Sequence, residues 1–99
     1  MKNPIQHLNK AFENKVRIGV MAALMVNAKI SFNELKELLE LTDGNLASHL
    51  KALEKVEYIS VNKTFIGRKP NTTYKITNAG KIAFDAHLQA LETIIKQYK

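Results

Sequence analysis

Midway along the chain the spacing of apolar residues changes period, and that switch constrains the fold more than any other feature. Up to Lys55 apolar positions recur every three or four residues, the period of amphipathic helices. From Tyr58 to Phe65, YISVNKTF, β-branched and aromatic residues take over, with Ile59 and Val61 alternating with Ser60 and Asn62. The breakers Gly67-Arg68-Lys69-Pro70-Asn71 follow, then a second extended run from Thr72 to Ile76. After Thr77 the helical period returns. The pattern predicts one α+β domain over residues 1–99, with a hairpin set between helices and no internal repeat.

The helices can be placed by their stripes and caps. The first is expected over about residues 5–27, with Pro4 tolerated at its start. It carries one stripe, Leu8, Phe12, Val16 and Val20, and a second on another face, Ile18, Met21 and Met25. A helix apolar on two faces needs two surfaces to pack against, its own core and a second subunit. Ser31-Phe32-Asn33-Glu34 reads as a capping box that opens a short helix with Leu35, Leu38 and Leu39 inward, ending near Glu40. Thr42 or Asp43 caps a third helix whose Leu46, Leu50 and Leu53 form a clean inner stripe. Two short helices joined by a tight turn make a helix-turn-helix candidate. Thr77 caps a last helix over about residues 77–97. Its Phe84, Leu88, Leu91, Ile95 and Tyr98 are spaced 4, 3, 4, 3, a coiled-coil-like seam. So small a domain has little core left for that helix. The seam is expected to meet a second copy, making helices 5–27 and 77–97 the contributors to a homodimer.

Charge narrows the choice of partner. Lys and Arg number 15 against 9 Asp and Glu, a net +6, which favours an anionic partner such as nucleic acid or a membrane surface. Residues 31–57 are net acidic, whereas residues 58–76 carry Lys63, Arg68, Lys69 and Lys75 with no acid. The longest apolar run, Ile18 to Val26, has nine residues where a membrane span needs about 20. As a leader it would be too long, would contain Glu13, and already has helical periodicity. A cytoplasmic location is therefore expected, in keeping with the absence of cysteine.

The chemistry of sites is sparse. No nucleophile-base-orienter trio, phosphate-cradling glycine loop or apolar pair of acids occurs, so the chain does not read as an enzyme. His7, His49 and His87 are the histidines, and Asp85-x-His87 is half of a pattern that some metal sensors use. The second half would begin with histidine at position 98, which is Tyr98. No metal site or cofactor is expected.

Two segments carry a resemblance. LTDGNLASHLKALEK at 41–55 looks like a recognition-helix segment. GRKPNTTYKITNAGK at 67–81 looks like a wing of the form G-R-x-P-x-T-x-Y-x-hydrophobic-T-x-x-G, matched by Gly67, Arg68, Pro70, Thr72, Tyr74, Thr77 and Gly80. Nearly the whole chain resembles the winged helix-turn-helix regulators of the MarR and ArsR type. The resemblance implies that helix 43–56 enters the major groove of double-stranded DNA and that the wing, 63–75, meets the minor groove and backbone. Glu57 departs from the family, which usually has glycine there; another helix ending or local strain is implied.

With Leu46, Leu50 and Leu53 inward, 100° per residue places Gly44, Ser48, Lys51 and Lys55 opposite, flanked by Asn45 and Ala52. Asn45 and Ser48 have groups suited to base edges, and Lys51 suits a phosphate or a guanine. His49 lies between the two faces, either touching DNA backbone or bonded within the domain. Lys63, Lys69 and Lys75 are expected near phosphates, and Arg68 in a narrow minor groove. The reading is a homodimeric regulator of transcription near promoters. A small-molecule effector is unknown; any would bind at the dimer seam or between it and the DNA-reading helices. Sequence-neutral DNA architecture and a winged helix used for protein docking remain alternatives.

Overall fold

The hairpin dominates the shape of the chain. In the computed structural model, which describes residues 2–98, an eight-residue pair of strands projects from a helical body, and a 21-residue helix runs past it. The radius of gyration is 15.1 Å, against about 13 Å for an average compact domain of this length.

The N-terminal part is not the continuous helix that the periodicity predicts. Asn9 and Asn14 each hold an extended backbone and turn their side chains onto the N–H two residues ahead, at 2.9 Å to Ala11 and 2.8 Å to Val16. Such local bonds compete with helix formation. The result is a 3-10 turn at Lys10–Phe12 and then α1, Lys15–Val26. The break lets Phe12 drop into the core, 1% exposed, with Tyr58, Phe84 and His87 at ring separations of 5.4, 5.3 and 5.2 Å. Phe12, Val16 and Val20 still line the core, but along two elements rather than one, and Leu8 lies ahead of both, half-buried and outside that stripe.

A short strand missed by the sequence reading, β1 (Ile30–Ser31), comes next and pairs with a strand more than 40 residues on. Then α2 spans Phe32–Leu39, opened by the Ser31–Glu34 capping box with both reciprocal bonds made. Leu35 is buried and Leu39 partly so, but Leu38 is 62% exposed and does not face the core. Helix α3 spans Asp43–Lys55, capped by Thr42 on the Asn45 N–H. Its Leu46, Leu50 and Leu53 are all buried against α1 and α2 residues including Val20, Leu24 and Leu35.

Strands β2 (Ile59–Ile66) and β3 (Lys69–Ile76) form the hairpin, and the sheet order is β1-β3-β2, all antiparallel. The breaker cluster does less breaking than expected. Only Gly67 and Arg68 make the turn, with Gly67 at φ +65, the glycine-first pattern of a type II′ turn. Lys69, Pro70 and Asn71 are already strand. Pro70 lies beyond the reach of β1, where β3 has a neighbour on one side only, a position that a strand proline tolerates.

Helix α4, Asn78–Tyr98, starts where α3 ends. Glu57 takes the left-handed conformation at φ 62, the backbone that a glycine at this helix end would adopt without penalty. The Tyr58 N–H reaches the Leu53 carbonyl at 3.0 Å and the Glu57 N–H reaches Glu54 at 2.9 Å, a Schellman closure. Thr77 caps α4 by accepting from the Gly80 N–H at 2.9 Å. A Cβ on Gly80 would stand 2.1 Å from the Tyr58 carbonyl oxygen. Glycine is required there by close approach of two backbones.

Candidate nucleic-acid interface

Helix α3 is presented by its neighbours on three sides. At its start, Glu40 sits at φ 53 and the Leu41 N–H bonds the Lys36 carbonyl, giving a tight turn out of α2. Across that turn Lys36 Nζ lies 2.8 Å from Asp43 Oδ1, neutralising an acid at the helix tip. Along its inner face the leucines lock it to the core. That leaves Gly44, Asn45, Ser48, Lys51 and Lys55 exposed in one outward row, as the helical period requires, with Ala52 half-buried at its edge.

The third side is held by a residue that the sequence reading did not single out. Arg17, in the first turn of α1, donates from Nε to His49 Nδ1 at 3.1 Å and from Nη1 to the Ala11 carbonyl at 3.4 Å. His49 is half-buried, and its pKa is pushed below the usual imidazole value by burial and then by the Arg17 charge. Neutral His49 thus has its acceptor nitrogen occupied within the domain. No spacing rule links positions 17 and 49, so only the tertiary structure reveals the pair.

The wing's cations do not form one patch. Side chains alternate across a hairpin, and the register pairs Lys63 with Thr72, Val61 with Tyr74 and Phe65 with Pro70 on one face. That face turns toward α3, and Ala47, Lys51, Glu54, Val61, Lys63 and Tyr74 line the cleft between them. Lys51 and Lys63, from helix and wing, are brought together there. Tyr74 is buried at the bottom of the cleft; burial, with a lesser push from the Glu54 charge, raises its pKa. Lys69 and Lys75 fall on the opposite face, and Lys75 lines a hollow with Lys81 and the end of α1, away from the cleft. Arg68 occupies the exposed tip.

Of the residues expected at a subunit seam, two are spent inside the domain. Met21 is 0% and Phe84 2% exposed, both in the core, because the packing of α1 on α3 and of α4 on Phe12 claims them. Ile18 and Leu91 are half-buried, while Met25, Leu88, Ile95 and Tyr98 are exposed. The face of α4 that buries Gly80, Phe84 and His87 continues outward through Leu91 to Tyr98, beyond the end of the core. His87 is not a ligand in waiting: its Nδ1 accepts from the Asn9 N–H at 3.0 Å. Among the described residues no cluster of three or more His, Cys, Asp or Glu could hold a metal ion, and no helix is long and apolar enough to cross a membrane.

Comparison with known proteins follows the same lines. A family model described as a winged helix DNA-binding domain matches residues 16–95. An uncharacterized protein of Methanocaldococcus jannaschii is 39% identical over 87 residues, covering 88% of this chain and 95% of that protein. A transcriptional regulator homologue from Pyrococcus horikoshii has a structure similar at a TM-score of 0.84 and 31% identity, over 90% of this chain and 88% of that one. An E. coli MarR mutant complexed with operator DNA is similar at a TM-score of 0.75 and 18% identity, over 96% and 67%. At that identity the likeness speaks for the fold alone.

Proposed function

The chain belongs to the winged helix DNA-binding domain family, and from that premise we propose that it is a cytoplasmic, homodimeric transcriptional regulator that reads an inverted-repeat site in duplex DNA. In this reading α3 lies in the major groove, with Asn45 and Ser48 toward base edges and Lys51 and Lys55 toward phosphates. The wing reaches past the backbone to the flanking minor groove, led by Arg68.

The observation that carries the reading is the pairing of an exposed polar row on α3 with an acid-free hairpin that turns Lys63 to the same side and carries Arg68 at its tip. A docking module has no need for that arrangement, and a polyanion does. The dimer is supported by α4. Its apolar face outruns its own core, leaving Leu88 41%, Ile95 54% and Tyr98 92% exposed on one helix. A second copy would cover them and place two α3 helices on one duplex.

Selection of bound sequences from a random duplex library tests this. The expected product is an inverted repeat with half-sites about one helical turn apart, roughly 10 bp. Recovery of no preferred sequence, with tight binding to all duplexes, would overturn it in favour of sequence-neutral architecture.

A further inference from the structure

Near the tip of the wing the chain exposes an aromatic ring that the fold does not use. Phe65 is 73% exposed and stands directly opposite Pro70 across the hairpin, so the two make a small apolar surface on a projecting element. They share the face of Lys63, which lines the cleft toward α3. Lys63 lies on the same face and Arg68 at the adjoining tip, and no acid occurs anywhere from 58 to 76. An apolar partner protein would gain nothing from that charge. A sugar-phosphate strand offers both halves of the match, phosphates for the cations and deoxyribose for the ring.

We infer that Phe65, backed by Pro70, packs against the deoxyribose wall of the minor groove, on the strand that runs through the cleft between α3 and the wing. The inference rests on the DNA-reading placement proposed above and adds a contact to it. Lys51 and Lys63 take phosphates from the two sides of that strand, and Phe65 lies one step further along the same wing face. Depth decides between sugar and base. Phe65 precedes Gly67 by two residues, which sets it about 7 Å behind the turn at the usual strand rise. The minor groove is about 7.5 Å deep. With the Gly67–Arg68 turn at the groove floor, the ring is therefore level with the sugars at the lip, too far back to wedge between base steps. The contact is apolar and releases no counterions, so it adds affinity without salt dependence.

The test uses the full chain and its selected duplex, with binding measured at several salt concentrations. Phe65→Ala should weaken binding roughly tenfold, as covering about half a phenyl ring's apolar surface implies, with the salt slope unchanged. Phe65→Leu should recover most of the loss. Ile66→Ala, on the opposite face of the hairpin, should stay within about twofold, a small loss for a surface residue away from the contact. Because Phe65 is 73% exposed and lies outside the core, meeting only its hairpin neighbours such as Pro70, melting temperatures should stay within a few degrees across the variants. A 2-aminopurine placed in the flanking minor-groove segment should stay quenched on binding. Full affinity in Phe65→Ala overturns the inference while the DNA-reading placement stands. Dequenching that disappears in Phe65→Ala overturns it in favour of a base-step wedge. Failure of the unmodified chain to bind any duplex at low salt removes the placement itself, and the sugar contact with it.

Discussion

The hydroxyl of Thr77 donates to the carbonyl of Glu57 at 2.7 Å, joining the end of α3 to the start of α4 across 20 residues of chain. The same oxygen accepts from the Gly80 N–H, and the Thr77 N–H reaches the Tyr58 carbonyl at 3.1 Å. One side chain thus caps α4 and ties down the left-handed residue that ends α3.

Removing that tie and relieving the strain beside it should act in opposite directions. Thr77→Val deletes a cap and leaves a carbonyl without its donor, a loss of about 1–2 kcal/mol. Glu57→Gly removes the left-handed penalty on a side-chain-bearing residue, a gain on the order of 1 kcal/mol after the glycine's entropy cost. Urea midpoints should move down and up respectively at constant slope. A destabilised Glu57→Gly would show that the left-handed backbone is not strained.

Stability should fall as pH drops through the imidazole range. Burial lowers the pKa of His87 from its ordinary 6.5, and burial with the Arg17 charge lowers that of His49. Below pH 6.5 the unfolded chain then binds more protons than the folded one, so stability is full above that value and declines beneath it. The decline levels off once the folded histidines are themselves protonated. Thermal melts between pH 8 and 5 check this. His87→Phe should flatten the pH response without abolishing it, since His49 remains. It should also lower stability at pH 7.5, where the Asn9 N–H loses its acceptor.

The α4 seam can be tested apart from the core. Leu88→Lys with Ile95→Lys alters exposed positions only, so helix content should be retained. Sedimentation should give a dimer for the unmodified chain at micromolar concentration and a monomer for the variant, with weaker DNA binding through loss of the second half-site. A monomeric unmodified chain would contradict the proposed assembly.

Reading and positioning on DNA should separate by salt. Lys69→Ala should weaken binding to all duplexes alike and lower the salt slope by about one per subunit. Asn45→Ala should leave the slope alone and reduce preference for the selected site by about 1–3 kcal/mol. Undiminished discrimination in both Asn45→Ala and Ser48→Ala would place something other than α3 in the groove.

Where local chemistry decides, the sequence was readable. The Ser31–Glu34 box, the leucine stripe of α3, the Thr77 cap and the strand alternation at Ile59 and Val61 all stand as their spacing implies. Where long-range contacts decide, it was not. The apolar spacing from Leu8 to Val20 reads as one helix, yet Asn9 and Asn14 cap two separate elements, and Asn9 is held in its turn by His87 and Tyr58, at 3.0 Å each. Two-residue β1 is too short for any periodicity and exists only through its pairing with Thr73 and Tyr74. The outward row of α3 followed from its inner stripe, whereas the splitting of the wing's cations between two faces needed the hairpin register. Arg17 carried no sequence signal at all.

Phe12 lies four residues before the point where the winged-helix family model begins to match. Excising the matched segment as a minimal DNA-reading unit would leave the rings of Tyr58, Phe84 and His87 facing an empty socket, and filling such a space natively is worth about 3–5 kcal/mol by the measure of phenylalanine truncations. The smallest piece of this chain that keeps its architecture therefore begins upstream of residue 16, with Asn9 and Phe12 acting as a plug driven in from outside the matched segment.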